Sequence, residues 1–478
     1  MLKKIKTLIP IRVIELDHRS LALSRILLGL LIALDAIFRL GNFRAHYTDF
    51  GVLPLEALFK LAKPAGLCIH CHAHSDEGVV FLFLLQIIFG ILLSIGWKTR
   101  FSLLASWLLT VSLHFRNPLI IDGGDVLLRS FLFWLYFTPL NQHFSVDARK
   151  LKERSHRSRR IIYFALPIQL FLMYFMSALL KTGADWWPLG TATGYALSLE
   201  AFVTPLGKWL TLFPEALKHM TRAVYILELW GPFLLLMWGY YRLAGVILFI
   251  FFHFSLGLAL DLALFPWIAY GCLISLLPSE FWNFFKRFKV ENHHPSEFQH
   301  SSSIKHHFET ALVSLLLLTV IAWNISDYIK KPIPKPIRKV VRALHIDQYW
   351  GMFAPYPLKD SGWFEFGLLL KNGEYVYAFV HDTMEEQWDM ETKKPKYGAL
   401  YFVDQRWRKY LVNIWDKKNL KYRPHLAQYL CRKWNEDFSD ESDKASKLDM
   451  DFRLFVNKDY LAPARGPSHV RLGQFECK

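Results

Sequence analysis

Charged side chains are scarce in this chain. Asp, Glu, Lys and Arg supply only 21% of its 478 residues, where a soluble domain carries about 25%. Acidic residues are the scarcer sign, 41 against 57 basic, which leaves a formal net charge of +16. Five cysteines are too few for a disulfide-built miniature scaffold, and no internal repeat is visible. These shortages exclude a disordered chain, a collagen, a repeat solenoid and an ordinary cytosolic enzyme. What fills the space is apolar: 53% of residues are hydrophobic, with 39 Phe and 17 Trp. In so hydrophobic a chain, surplus Lys and Arg mark basic loops on the cytoplasmic membrane face, so no nucleic-acid partner is expected. The lipid bilayer is the expected partner, and the composition predicts an integral protein of the cell (inner) membrane.

A spanning helix needs roughly 20 mostly apolar residues. Stretches near 20–40, 79–96, 100–115, 123–140, 161–180, 222–239, 242–260, 262–278 and 308–325 qualify or come close, which predicts about eight or nine transmembrane helices. The N-terminus carries Lys3, Lys4, Lys6, Arg12 and Arg19 ahead of a full-length apolar segment, with no small-residue cleavage site after it. That pattern reads as a start-transfer helix with a cytoplasmic N-terminus. Arg149, Lys150, Lys152, Arg154, Arg157, Arg159 and Arg160 follow span four, and Lys286, Arg287 and Lys289 follow span eight. Both sets fall inside with the N-terminus and put the tail outside. Lys330, Lys331, Lys335, Arg338, Lys339 and Arg342 argue the other way, since they directly follow span nine.

Composition changes near 328, dividing a multi-span domain (1–327) from a tail (328–478). KKPIPKPIRK (330–339) is a proline-punctuated basic linker. After it, SGWFEFGLLLKNGEYVYAFV alternates around an Asn-Gly turn as a hairpin does. RWRKYLVNIW and HLAQYLCRKW have helical spacing, FRLFVNKDYL reads as a further strand, and SEFQHSSS (296–303) is a cytoplasmic linker. The expected architecture is a polytopic all-α membrane protein with a small C-terminal α+β domain outside the membrane.

Ionisable residues inside spans are costly and mark function or internal pairing. Arg25, Asp35 and Arg39 lie in span one, His114 near the end of span three, Asp125 and Arg129 in span four, Lys181 and Asp185 at the end of span five, Glu228 in span six and His253 in span seven. With the N-terminus inside, Asp35, His114, Asp125, Lys181, Glu228 and His253 all fall in the outer half, which predicts a polar cavity there. Simpler readings stand beside this one. Asp35 with Arg39, and Asp125 with Arg129, are i,i+4 pairs able to neutralise each other. His114 next to Arg116 fits an interfacial residue, and Glu228 fits an acceptor for a neighbouring helix. His253 has no local partner. Lys181 opens KTGADWWPLGTATGY, a Gly- and Trp-rich stretch; a lysine partly desolvated there serves as a base, whereas a merely snorkelling one does not.

These residues carry a family resemblance. SLALSRILLGLLIALD (20–35), HYTDFGVLP (46–54), FRNPLIIDGGDVLLRSFLFW (115–134), LNQHFSVD (140–147), LLKTGADWW (179–187), FFHFSLGLALDLALFPWIA (251–269) and DQYWGMFAPYPLKDSGW (347–363) occur in order. Together they resemble the HTTM domain, a bacterial membrane domain related to vitamin K-dependent γ-glutamyl carboxylase. The resemblance implies that Lys181, ahead of Ala184, Asp185 and Trp186, is the base that deprotonates a reduced quinone. Oxygen, and carbon dioxide in a carboxylase, would be co-substrates, and a secreted or membrane peptide the acceptor. On an enzyme reading Asp185 and Trp186 would position Lys181, Glu228 or His253 would relay protons, and Asp35, His114, Asp125 and Arg129 would lie near substrate or cofactor. The sequence departs from the carboxylases where their Asn-Asn-His stretch enters span four: here stands Asp122-Gly123-Gly124-Asp125.

The cysteines are Cys68, Cys71, Cys272, Cys431 and Cys477. Cys68-Ile69-His70-Cys71-His72 fits the haem c attachment pattern, but so short a pattern arises by chance and no haem c is expected. Three metal ligands at His70, His72 and His74 demand an unusual geometry, so no metal is assigned. A disulfide is the remaining reading. The resemblance implies one from the first outer loop to the tail, joining Cys68 or Cys71 to Cys431, and a Cys68–Cys71 bridge is its competitor. Two functional classes stand: a quinol-coupled carboxylase-like lyase or epoxidase, and a non-catalytic binding, assembly or peptide-maturation protein.

Overall fold

The computed structural model describes residues 15–62, 66–151, 157–285, 304–386, 388–390, 394–395, 404–456 and 467–478. The basic clusters at Lys3, Lys4, Lys6 and Arg12, at Lys152 and Arg154, and at Lys286, Arg287 and Lys289, like 296–303, lie outside the described residues. A helix stands at each of the nine apolar stretches: α1 (His18–Leu40), α2 (Asp76–Ile95), α3 (Thr99–Arg116), α4 (Gly123–Leu135), α5 (Ala165–Leu180), α6 (Pro214–Trp230), α7 (Gly239–Ala259), α8 (Phe265–Ile274) and α9 (Ile304–Ile329). Five are long and apolar enough to cross a membrane: α1, α2, α5 (counted from Ile162), α7 and α9 (counted from His307). The stretch expected at 222–239 is interrupted instead, because Pro232 opens a separate turn, Pro232–Leu235, just after α6.

Local chemistry sets the helix ends. The Asp17 side chain accepts from the Arg19 backbone N–H and starts α1; Ser75 does the same for Gly78 at the start of α2. Asp122 and Asp125 form a reciprocal capping box on α4. Gly96, at φ 71°, ends α2 in the left-handed conformation that glycine adopts without strain. The α1–α2 crossing is close: a Cβ on Gly29 would lie 2.7 Å from the Gly90 carbonyl oxygen. Small residues allow such contact between membrane helices, where lipid supplies no hydrophobic drive.

Beyond α9, α10 (Lys335–Ala343) leads into an irregular strap, 345–359, and then into the tail sheet. Its strands are β1 (Asp360–Leu370), β2 (Tyr375–Ala378), β3 (Ala445–Val456) and β4 (Ser468–Glu476), antiparallel in the order β2-β1-β3-β4. The hairpin turns at Asn372-Gly373 as expected. Phe364, Phe366 and Leu368 of β1 oppose Phe452, Met450 and Leu448 of β3 and bury one face of the sheet. The third strand begins earlier than FRLFVNKDYL suggests, and its expected last residues, 457–461, lie outside the described ones. Strand β4 was not apparent from the sequence. Helices α11 (Gln405–Trp415) and α12 (Arg423–Asp437) complete the tail. Its apolar residues join one buried cluster with Tyr47, Val52, Leu53, Leu113 and Ile120 from the membrane domain, so the tail is docked on that end of the bundle.

Candidate active site at the docked end of the bundle

Contacts bring the ends of α1, α3 and α5 and the start of α4 to the end where the tail sits. Two polar networks form there. In the first, Arg39 donates to Asp35 (2.7 Å), to Asp125 (2.6 Å) and to the Tyr47 hydroxyl (2.7 Å). From the tail, Arg406 donates to Asp35 at 2.8 Å and to both carboxylate oxygens of Asp125 at 2.5 and 3.1 Å. Two carboxylates and two guanidiniums thus pair in a buried quartet, with Asp122 3.7 Å from Arg406 at its edge. His114 Nε2 lies 3.4 Å from Asp125 Oδ1. The Asp35–Arg39 pair is as expected. Arg129, expected to pair with Asp125, instead donates to the Asp347 backbone oxygen (2.8 Å) and carboxylate (3.2 Å), because Asp125 is already filled by Arg39 and Arg406.

The second network is built on α5, α6 and α7. Lys181 Nζ donates to Ser177 Oγ at 2.6 Å and to the Glu228 carboxylate, and stands 4.8 Å from the Trp186 ring centroid. Both members of the ion pair are buried. Ser177 and Lys181 are four residues apart, hence on one face of α5. One further turn down that face is Tyr174, whose hydroxyl hydrogen-bonds His253 Nε2 at 2.8 Å. Asp185 does not touch Lys181. It accepts from Thr191 (2.8 Å) and pairs with Lys359 of the strap (3.0 Å). Burial opposes the Lys359 charge, but that bond to Asp185 raises its pKa above the ordinary value. The six residues expected in one cavity therefore separate into Asp35, His114 and Asp125 on one side and Lys181, Glu228 and His253 on the other.

The strap spans both networks. His345 packs against Phe115 (6.0 Å between rings), Asp347 binds Arg129, and the Gln169 amide donates to Gln348 at 2.8 Å deep in the bundle. Trp350 is fully buried and donates to Gln348. The Phe353 carbonyl accepts from the Trp186 indole (3.0 Å), and the Pro355 carbonyl from the Gly183 amide (2.9 Å). Irregular backbone at membrane depth is tolerated only where protein covers it, and here α4, α5 and α9 do so.

The model of the HTTM domain family matches residues 14–282, more than half of the chain. The chain belongs to the HTTM family. Neither the curated proteins nor the solved structures contain a match. The matched region of this HTTM chain holds every residue of both networks except Arg406 and the strap.

The cysteines correct an expectation. Cys68 is bridged to Cys71 and Cys431 to Cys477, so Cys431 joins no outer-loop cysteine. Gln428 of α12 donates to the Glu476 carbonyl and accepts from the Lys478 amide, which holds the end of β4 against α12. Cys272 is buried and free. No metal-holding cluster of His, Cys, Asp or Glu occurs among the described residues. His70 is turned inward, its Nδ1 2.8 Å from Ser112. Burial, reinforced by Arg116 and Arg39, lowers its pKa to about 3, so it stays neutral. Arg406, Lys359, Ser177 and Tyr174 were missed by sequence reading. The spacing 174, 177, 181 was the available signal for the last two; nothing in the tail sequence distinguishes Arg406 from its neighbours.

Proposed function

We propose that this HTTM protein is a quinol-coupled membrane enzyme of carboxylase-like or epoxidase type. Its second substrate is a secreted or membrane peptide, received where the tail docks. The buried Lys181–Glu228 pair beside Trp186 carries the reading. An ammonium alone at this depth is costly. A lysine sharing its proton with a carboxylate remains neutral as a pair wherever that proton sits, and with the proton on Glu228 the amine is free to act as a base. Ser177 fixes the Nζ position and the Trp186 ring covers it.

The surrounding residues fit a reduced lipid quinone. Flat walls are at hand: Trp186, Tyr174 stacked on Phe249 at 3.9 Å, and Phe265 at 5.3 Å from the His253 ring. His253 Nδ1 is buried with no hydrogen-bond partner among the described residues. When bound, a quinol would supply the oxidisable ring, with oxygen as electron acceptor and carbon dioxide as a further substrate in a carboxylase. With the shared proton on Glu228, Lys181 takes the proton of the quinol; Glu228 then gives up its own toward Tyr174 and His253, and the Lys181–Glu228 ion pair re-forms. The Asp185–Lys359 bond holds the 182–191 turn, and with it Trp186, against the strap. The Asn-Asn-His stretch of the carboxylases has no equivalent on α4; His114 of α3 stands 3.4 Å from Asp125.

Oxygen uptake by the purified full-length protein on addition of reduced naphthoquinones, with product analysis for the quinone epoxide, tests the reading. Lys181→Ala should abolish turnover. Lys181→Arg should lose about 10²–10⁴-fold, since a guanidinium stays protonated; full activity in that variant would sink the base role. The second reading is a binding or assembly protein, favoured by the completeness of the Lys181 hydrogen bonding, which a structural plug would share. Absence of turnover with every quinol tested would select it.

A further inference from the structure

We propose that α10 and the two lysines before it form a binding site for anionic phospholipid headgroups in the leaflet facing the tail. This inference does not rest on the proposed chemistry. The basic cluster here is the one the charge rule for topology leaves unexplained. Helix α9 is long and apolar enough to cross the membrane, and it delivers Lys330, Lys331, Lys335, Arg338, Lys339 and Arg342 to the end of the bundle that holds Asp125 and Lys181. With the N-terminus inside, as its basic residues predict, the rule gathers positive residues at the opposite end, so these need another reason.

Their arrangement supplies it. At about 100° per residue, Lys335, Arg338, Lys339 and Arg342 share one face of α10, and Ile337, Val340 and Val341 the other. Val341 is fully buried in the bundle core, whereas Ile337 and Val340 remain 43% and 53% exposed beside it. The helix therefore rests one apolar edge on protein and presents the other outward, as an interfacial helix does to acyl chains. None of the six basic residues forms an ion pair among the described residues. The nearby carboxylates are engaged elsewhere: Asp347 with Arg129 and Asp185 with Lys359. Asp327 lies within electrostatic reach of Arg342 but makes no contact with it. Six cations on 13 residues, with Asp327 the one nearby carboxylate in no ion pair among the described residues, bordered by exposed aliphatic groups at the end of a helix long enough to cross a membrane, match phosphodiesters backed by acyl chains.

Native mass spectrometry of the full-length protein, titrated with phosphatidylglycerol and with phosphatidylcholine, tests this. The wild type should bind phosphatidylglycerol at least about tenfold more tightly. The variant Lys335→Gln, Lys339→Gln, Arg342→Gln should lose about a hundredfold of that affinity and bind the two lipids alike. The charge-preserving Lys335→Arg, Lys339→Arg, Arg342→Lys protein should keep the preference, which separates loss of charge from loss of fold. An unchanged preference in the glutamine variant, or none in the wild type, overturns the proposal. So does displacement of the lipid by glycerol phosphate at equal concentration, because that would make this a free-anion site.

Discussion

Arg406 brings a guanidinium from the tail to a place where the membrane domain holds two carboxylates and one arginine. With Arg39 alone, Asp35 and Asp125 would carry a net negative charge in a buried site. Such a charge raises the folding free energy by several kcal/mol unless it is protonated or paired. Arg406→Gln should therefore destabilise the docked tail by about 3–5 kcal/mol, seen as a lower thermal midpoint in detergent and faster proteolysis of the tail. Arg406→Lys should restore only part of this, because an ammonium cannot reach both carboxylates as the planar fork does. Wild-type stability in the glutamine variant would show that the quartet is not what holds the tail. A lysine and an aspartate at 181 and 185 invite the reading of a working pair, yet the two are turned apart. Sequence spacing fixes which residues share a helix face, but Asp185 lies beyond the end of α5, where the backbone turns and the rule no longer applies.

At the scale of elements, the two disulfides differ in what they constrain. The Cys68–Cys71 bridge closes a loop with a sequence separation of 3, and the Cys431–Cys477 bridge one with a separation of 46. Chain-entropy reasoning gives the longer loop the larger effect. Cys477→Ser should lower tail stability by about 2–4 kcal/mol, read by denaturant unfolding of the tail fluorescence. Non-reducing peptide mapping should recover 68 with 71 and 431 with 477; a peptide joining 431 to the outer loop would contradict this pairing. The strap is the other element with consequences beyond itself. Its carbonyls hold Trp186 and Gly183, and Lys359 holds Asp185, so the turn carrying the proposed base is supported by residues some 170 positions away. DQYWGMFAPYPLK has the composition of a loop, and a reading of periodicity has no means of showing that it enters the bundle.

For the whole molecule, orientation is the decisive quantity. The contacts of Arg406 with Asp125 and of Trp186 with the strap place the proposed site and the tail at the same end, and the basic N-terminus predicts that this end is outside. An exposed residue of β4, Ser468→Cys, should react with a membrane-impermeant maleimide in intact cells. Labelling only after permeabilisation would put tail and site in the cytoplasm and remove the secreted peptide from consideration.

The sequence by itself determined the membrane character, the approximate places of the nine apolar helices, the hairpin at Asn372-Gly373 and the presence of buried ionisable residues near one end of the bundle; it read the segment of α10 as a linker. Each of these depends on local quantities: apolar run length, period, turn chemistry and charge. Tertiary structure alone decided the partners. Arg406 reaching Asp35 and Asp125, Arg129 turning to Asp347, Lys181 meeting Glu228 and Cys431 choosing Cys477 are all contacts between distant segments. A buried charge takes whichever opposite charge the packing brings within reach, and that depends on how helices cross and where the tail docks, which no local pattern encodes.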